Sequence, residues 1–221
     1  YRRQRQMCIR DRVRELVWKG KYKEAQDMAT AHVMAKTNLG MPYQPFGDLY
    51  VSFPGAGKYT EYYRELSLDS ARVITTYKAD GVKYKREYIS SLSENVIMVH
   101  LTASKPGMIT CNANMTSPQQ DVTIKSEGKE IMLSGISGWH EGLKGKVQFT
   151  GRATAQTKGG QVVSSDGVLQ IKNADEATIY LTIATNFKNY NDISGNDTLT
   201  SEKTPVSYTH LRAHETDQYL V

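Results

Sequence analysis

The chain has 221 residues and carries 28 Lys and Arg against 23 Asp and Glu, a formal net charge of +5. Five Arg lie within residues 1–12. When residues 1–12 and 206–221 are left out, the formal net charge falls to +2. The net charge therefore gives no support for binding to nucleic acid or to an anionic membrane. The length suits one β-rich domain with a sizeable core, and no apolar run approaches the length of a membrane span.

The two ends of the chain are related through the genetic code. Met7–Arg12 can be encoded by ATGTGTATAAGAGACAG plus one base, and the reverse complement of that string, read as GTC-TCT-TAT-ACA-CAT, encodes Val206–His210. The element resembles the end of a transposase-made sequencing adapter. We therefore interpret residues 1–12 and 205–221 as adapter-like artefacts and exclude them from the functional argument. The alternative is that the Arg-rich start is a basic arm that binds nucleic acid.

The first element after that boundary is predicted to be helical, from Arg14 to about Ala35. Apolar residues recur there at helical spacing and no Pro interrupts them. Gly20 predicts a break, with two short helices joined by a turn at Lys19-Gly20-Lys21.

After Pro45 the sequence predicts β structure. Segments rich in Val, Ile, Thr and Tyr alternate with polar turns, and Asp80-Gly81 is a strong hairpin signal because Gly accepts a positive φ. The spacing predicts an all-β fold, a large antiparallel β-sandwich of the super-sandwich type that follows the short helical segment. The polar stretch after Asn186 is predicted to be a long loop or the start of a linker. The predicted strands are Phe46–Phe53, Tyr63–Leu68, Ala71–Lys78, Val82–Ser90, Asn95–Thr102, Met108–Met115, Val122–Ser126, Glu130–Ile136, Lys146–Thr157, Gly167–Lys172 and Ala177–Ala184.

Three motifs, in this order, carry a family resemblance: YQPFGDLY at Tyr43–Tyr50, YRELSLDSA at Tyr63–Ala71 and DGVKYKRE at Asp80–Glu87. Together they resemble the N-terminal β-sandwich domain of glycoside hydrolase family 95, whose members are mostly α-L-fucosidases. The resemblance implies a domain over residues 13–204 that is incomplete at its start. It also implies that the catalytic residues lie in a helical barrel that this chain does not contain, so no catalytic residue is assigned here.

The resemblance further implies a function for the parent protein. The chain is expected to be a non-catalytic fragment of a bacterial, periplasmic or extracellular enzyme that hydrolyses terminal α-L-fucosyl bonds by inversion. Its partner would be a carbohydrate substrate, reached through the missing catalytic domain, and no nucleic-acid or membrane partner is expected. One alternative is a stand-alone carbohydrate-binding or interaction module with an exposed aromatic platform. Another is a relative with galactosidase or phosphorylase activity, because a fold alone does not fix specificity.

Trp139, His140 and Glu141 form the candidate functional spot, as part of a substrate rim or a domain interface. A Trp ring can stack on a sugar, and His with Glu can orient hydroxyl groups. The segment from His140 through Phe149 also resembles part of the same family domain. The simpler alternative is a loop whose Trp packs on the edge of the sandwich and whose Glu meets a nearby Lys.

Other patterns predict no further chemistry. Pro54–Lys58 resembles a phosphate-binding loop, but Ser52 and Tyr59 stand where that motif requires Gly and Ser or Thr, so a turn is predicted. Outside the two ends, three His and the single Cys111 show no metal-ligand spacing, and no metal or cofactor is expected. No Ser-His-Asp arrangement is recognisable.

Overall fold

The computed structural model describes residues 2–33, 43–55, 57–91, 94–140, 142–198 and 200–201. These residues divide into two compact units. The helical unit comprises the two helices together with His140–Leu143, and the sandwich unit comprises Gln44–Trp139 and the residues from Lys144 onward. The predicted adapter-like segment 205–221 lies outside the described residues.

The helical unit contains α1 (Arg2–Trp18) and α2 (Tyr22–His32). Helix α1 begins earlier than the predicted start at Arg14, because residues 2–12 contain neither Pro nor Gly and are rich in Arg and Gln, which favour helix. It therefore runs without a break through the boundary that we placed after residue 12. Within the described part of the chain, neither helix is long and apolar enough to cross a membrane.

A glycine cap separates the two helices. Gly20 has a φ of +73°, and its N–H donates to the carbonyl of Val17 at 3.0 Å. The N–H of Lys21 donates to the carbonyl of Leu16 at 2.9 Å. This pair of bonds is a Schellman motif, in which a left-handed glycine satisfies the last carbonyls of a helix. The predicted break at Lys19-Gly20-Lys21 is confirmed.

The sandwich unit consists of two antiparallel sheets, and the predicted β-sandwich is confirmed. The small sheet has the order β1-β6-β11-β10, and the large sheet has the order β2-β3-β4-β5-β12-β9-β8-β7. The small sheet packs over the part of the large sheet that contains β5, β9, β8 and β7. The strands are β1 (Asp48–Ser52), β2 (Tyr59–Ser67), β3 (Arg72–Ala79), β4 (Val82–Ser91), β5 (Val96–Ala103), β6 (Ile109–Thr116), β7 (Val122–Glu127), β8 (Glu130–Ile136), β9 (Gln148–Lys158), β10 (Gln161–Ser165), β11 (Val168–Ala174) and β12 (Glu176–Thr185).

The core lies between the two sheets. Alternate residues of β6, β8, β11 and β12 point into it, as the two-residue period of a strand requires, and their side chains are fully buried. Cys111 belongs to this core, and burial raises the pKa of its thiol to about 11. The thiol is therefore protonated at neutral pH, which makes Cys111 a packing residue rather than a nucleophile. The largest fully buried members are Leu101, Met115, Ile131, Leu133, Leu169, Ile171 and Ile179.

Two hairpins have turns of the same type. Asp80 and Gly81 both have positive φ, +49° and +73°, which confirms the predicted hairpin and identifies a type I′ turn. Asp166 and Gly167, with φ of +50° and +75°, join β10 to β11 in the same way. Strand β10 is absent from our predicted strands. The Asp-Gly pair after Val162-Val163 was the sequence signal for it.

Strand β2 also differs from its prediction. It begins at Tyr59 instead of Tyr63, and the pairing with β3 shifts between Thr60 and Tyr63, where Glu61 has a φ of +54°. This irregularity is a β-bulge, which redirects the side chains that precede it. The segment before it turns at Pro54-Gly55 and continues into strand rather than helix, so the prediction of a turn there is confirmed.

The polar stretch after Asn186 is irregular as far as Asn196, as predicted, and is helical at Asp197, Thr198, Thr200 and Ser201. It packs back onto the large sheet instead of leaving it. The N–H of Gly195 donates to the carbonyl of Asn186 at 2.9 Å. The hydroxyl of Thr150 on β9 donates to Asp197 at 2.6 Å, and Nε of Arg152 donates to the buried hydroxyl of Ser201 at 3.0 Å. These side-chain bonds make the segment to Ser201 part of the domain.

Candidate functional site

Trp139, a predicted site residue, lies in a loop whose two ends, at Ser137 and at Gly145 to Val147, are in contact. The N–H of Ser137 donates to the carbonyl of Val147 at 2.8 Å, and a Cβ on Gly145 would lie only 1.8 Å from the carbonyl oxygen of Ser137. Glycine is therefore required at 145 for this close approach. Trp139 is 62% exposed, and Nζ of Lys144 lies 6.0 Å from the centre of its ring. The ring thus offers a face to a ligand or another domain.

His140 lies in a separate tight turn that belongs to the helical unit. Its N–H and carbonyl exchange hydrogen bonds with Leu143 at 3.0 and 2.9 Å, and Gly142 adopts a φ of +81°. Glu141 lies outside the described residues. The proposed joint role of Trp139, His140 and Glu141 therefore stays a prediction.

The structure shows a second candidate, a cleft of about 690 Å³ on strands β2, β3 and β4. Arg64 on β2 is paired with Thr75 on β3, and Thr75 is paired with Arg86 on β4. Directly paired residues in neighbouring strands point to the same face of a sheet. The two guanidinium groups therefore flank Thr75 on one face. We call this site the tyrosine cleft; it is lined by Phe53, Gly57, Tyr59, Tyr62, Arg64, Val73, Thr75, Tyr77, Ala79, Arg86 and Tyr88.

Five of the eleven residues that line the tyrosine cleft are aromatic, and a further ring, that of Tyr84, supports one of them from outside the lining. Tyr77 stacks on Tyr84, with ring centres 5.1 Å apart and planes inclined by 14°. The ring of Tyr59 meets that of Tyr77 edge-on at 6.4 Å and that of Tyr62 at 5.7 Å. Tyr59 and Tyr62 are 65% and 55% exposed. Burial, with smaller effects of Tyr77 and Asp80, raises the pKa of Tyr84, so its phenol stays neutral.

Arg86 is held between rings at the base of the tyrosine cleft. Its Cζ lies 3.7 Å from the ring centre of Phe53 and 4.8 Å from that of Tyr77, and Nη2 donates to the Tyr77 hydroxyl at 2.7 Å. Its buried Nε has no hydrogen-bond partner among the described residues. No carboxylate lines the cleft. The positive charge of Arg86 is therefore stabilised by aromatic faces without an opposing carboxylate.

Elsewhere in the large sheet, a histidine on β5 contacts a hydroxyl and a carboxylate on β12. Nδ1 of His100 lies 2.9 Å from the hydroxyl oxygen of Thr178, and Nε2 lies 3.2 Å from a carboxylate oxygen of Glu176. No Ser-His-Asp arrangement is recognisable in the sequence, because the three residues meet only through the pairing of β5 with β12. Thr178 lies inside a central strand that pairs with β5 and β9, so the sheet uses the backbone amides that an oxyanion would need. We interpret the trio as a cross-strand polar contact.

The described residues provide no metal cluster, and the best-formed cavities among them offer no opposed pair of carboxylates. No three His, Cys, Asp or Glu side chains among them gather where they could hold a metal ion. None of the four best-formed cavities in this part of the chain is lined by two carboxylate side chains. Glycoside hydrolysis usually requires such a pair.

Comparisons with known proteins give three findings. A family model described as "Glycosyl hydrolase family 65, N-terminal domain" matches residues 3–190. The curated protein "Alpha-L-fucosidase 2" of Arabidopsis thaliana is 28% identical over 201 residues, an alignment that covers 79% of this chain and 23% of that protein. The solved structure described as "Putative kojibiose phosphorylase from human microbiome" aligns with a TM-score of 0.43 and 13% identity, over 82% of this chain and 28% of that one. The chain thus spans about a quarter of the length of the curated relative.

Proposed function

The chain belongs to the family of glycosyl hydrolase family 65 N-terminal domains, and from this membership together with the similarity to Alpha-L-fucosidase 2 we propose that it is the non-catalytic β-sandwich domain of an α-L-fucosidase. The predicted class, the N-terminal domain of a glycoside hydrolase, is confirmed. The matching family model is that of family 65 rather than that of the predicted family 95. The identity to Alpha-L-fucosidase 2 across most of this chain supports the fucosidase activity of the whole protein.

In this proposal the chemistry lies outside the sandwich. The whole enzyme removes terminal α-L-fucosyl residues from glycans by inversion, and its catalytic carboxylates belong to another domain. The four best-formed cavities of the described residues support this division, because none of the four is lined by two carboxylates. The domain boundaries at residues 13 and 204 remain predictions.

The test compares the 221-residue chain with the full gene product from its source locus. Both are incubated with a fucosylated oligosaccharide, a galactoside, and a glucose disaccharide with and without phosphate, and the released sugars are followed by NMR. We expect β-L-fucose from the full gene product as the first-formed anomer, and no release by the chain. Release of galactose alone, or cleavage that depends on phosphate, would overturn the fucosidase proposal.

Trp139 provides a second test in the full gene product. If the exposed ring of Trp139 contacts substrate at the rim of the catalytic site, Trp139→Ala is expected to raise KM about threefold with little change in kcat. The reason is that a contact far from the reacting bond stabilises the bound substrate and the transition state equally. Trp18→Ala, which also removes an exposed Trp ring, serves as the control. Unchanged kinetics together with an unchanged melting temperature for Trp139→Ala would rule out both a rim and an interface role.

A second candidate function, carbohydrate binding by the sandwich itself, is favoured by the tyrosine cleft. The exposed rings of Tyr59 and Tyr62 form the kind of aromatic platform that this function requires. A volume of about 690 Å³ falls within the range of small-molecule sites. Calorimetric titration of the chain with oligosaccharides tests this function, and the absence of heat with every sugar would contradict it.

A further inference from the structure

We infer that the tyrosine cleft binds an acidic saccharide, a sugar chain whose ring carries a carboxylate. The inference rests on the second function proposed above, carbohydrate binding by the sandwich, and specifies the class of its ligand. It does not depend on the fucosidase proposal, because every lining residue belongs to the sandwich unit.

The wall of the cleft suits the flat face of a pyranose. Tyr59 and Tyr62 present exposed rings to it, and the ring of Tyr77 extends the aromatic surface. Aromatic rings bind through their apolar faces, while a phenol hydroxyl can accept or donate a hydrogen bond at the rim. A sugar has the same two properties, with C–H groups on its faces and hydroxyl groups around its edge.

The charge of the cleft selects the ligand further. Arg64 and Arg86 lie on either side of Thr75 in one row, so their strands are about 10 Å apart, the width of two strand spacings. No carboxylate side chain lines the site, and neither Arg forms an ion pair among the described residues. An anion placed over Thr75 would therefore lie between two guanidinium groups whose charges have no protein counter-ion.

A planar carboxylate matches this arrangement better than a simple anion does. A guanidinium group presents its N–H donors in a flat fork that pairs with both oxygens of a carboxylate. Arg86 is fixed in orientation by the rings of Phe53 and Tyr77, so little side-chain freedom is lost when it binds. Its guanidinium is partly buried, which strengthens the interaction with an opposite charge relative to a fully exposed group.

The other end of the cleft fixes the direction of the ligand. A Cβ on Gly57 would lie 3.4 Å from a carboxylate oxygen of Asp80, so this acidic group stands beside the cleft at the turn between β3 and β4. A second carboxylate is disfavoured near Asp80 by like-charge repulsion. The acidic group of the sugar is therefore expected over Thr75, with the neutral part of the chain directed toward Gly57.

The experiment is a calorimetric titration of the 221-residue chain at low ionic strength with three probes: trigalacturonate, neutral galactotriose and acetate. We expect the Kd for trigalacturonate to be about tenfold lower than that for galactotriose, the size of one charge-assisted hydrogen-bonded contact. Added salt should reduce the difference, because both guanidinium groups are partly solvated. Acetate should give no measurable heat, since it lacks a ring to stack.

Three variants assign the effect to the cleft. Arg64→Gln and Arg86→Gln are expected to abolish the preference for the acidic sugar, and Tyr62→Ala is expected to weaken binding of both saccharides. Lys125→Gln removes one positive charge from β7, at the opposite edge of the large sheet, and should leave the preference unchanged. Melting curves verify that each variant is folded. If Arg86→Gln does not fold, Arg64→Gln, on an exposed edge strand, carries the test alone.

The outcomes separate the two levels of the proposal. Equal affinity for trigalacturonate and galactotriose would overturn the acidic-saccharide inference and leave carbohydrate binding intact. No heat with either saccharide would overturn the acidic-saccharide inference, and no heat with the fucosylated and glucose oligosaccharides as well would overturn carbohydrate binding by the sandwich. Heat with acetate equal to that with trigalacturonate would also contradict the inference, because the aromatic wall would then contribute nothing.

Discussion

Replacing Gly160 by Ala is expected to lower the free energy of unfolding by about 2–5 kcal/mol. Gly160 lies in the turn between β9 and β10 with a φ of +66°, where an L-residue costs about 1–2 kcal/mol. Its Cβ would also lie 2.3 Å from the carbonyl oxygen of Lys172 and 2.6 Å from the backbone nitrogen of Ala174. Backbone atoms cannot move aside as a side chain can, so overpacking adds about 1–3 kcal/mol.

Gly128→Ala is the matched control for this prediction. Gly128 lies in the turn between β7 and β8 with a φ of +57°, and a Cβ there would meet nothing within 4 Å. Gly128→Ala is therefore expected to lower the free energy of unfolding by about 1–2 kcal/mol, through the backbone conformation alone. Urea unfolding of both variants measures the difference. Equal losses in the two variants would contradict the close packing of the β9–β10 turn against β11.

Replacing Arg152 by Met is expected to cost about 2–4 kcal/mol. Arg152 on β9 forms an ion pair with Glu130 on β8 and also donates to the hydroxyl of Ser201, and only 10% of its side chain is exposed. Removing one partner leaves the other charge without compensation, which costs about 3–5 kcal/mol for a fully buried pair. The value here is lower because 26% of the Glu130 side chain remains in contact with water.

An exposed ion pair provides the comparison. Lys78 and Glu61 lie 3.2 Å apart with 38% and 57% of their side chains exposed, and Lys78→Met is expected to cost at most about 0.5 kcal/mol. The double variant Glu130→Met with Arg152→Met should recover much of the stability lost by Arg152→Met, since the Glu130 carboxylate is then no longer left without its partner. A loss for Arg152→Met no larger than that for Lys78→Met would show that the pair does not stabilise the sheet.

The β-sandwich was predictable because its signals are local. Alternation along strands such as β12 and the Asp80-Gly81 turn depend on neighbouring residues alone. The same kind of signal existed at Asp166-Gly167, but strand β10 is short and polar at its ends, and it was missed. The packing of the segment to Ser201 could not be predicted, because it depends on Thr150 and Arg152, which are distant in the sequence.

The tyrosine cleft could not be identified from sequence for a related reason. Its central row joins Arg64, Thr75 and Arg86 only in the register that the sheet adopts. The β-bulge at Glu61 changes which residues of β2 share a face, so counting alternate positions from Tyr59 gives the wrong set. Trp139 was selected instead because a Trp beside His and Glu is conspicuous in a sequence, whatever its surroundings.

The most direct test of the account is to amplify and resequence the source locus across both ends of this chain. We predict that the adapter-like codons for residues 1–12 and 205–221 are absent from the locus, and that the reading frame continues downstream into a helical catalytic barrel. A locus that encodes both ends as they stand, or that stops near Thr204, would contradict the assignment of the chain as the N-terminal domain of a larger hydrolase. The sandwich would then act alone, and the tyrosine cleft would be its functional site.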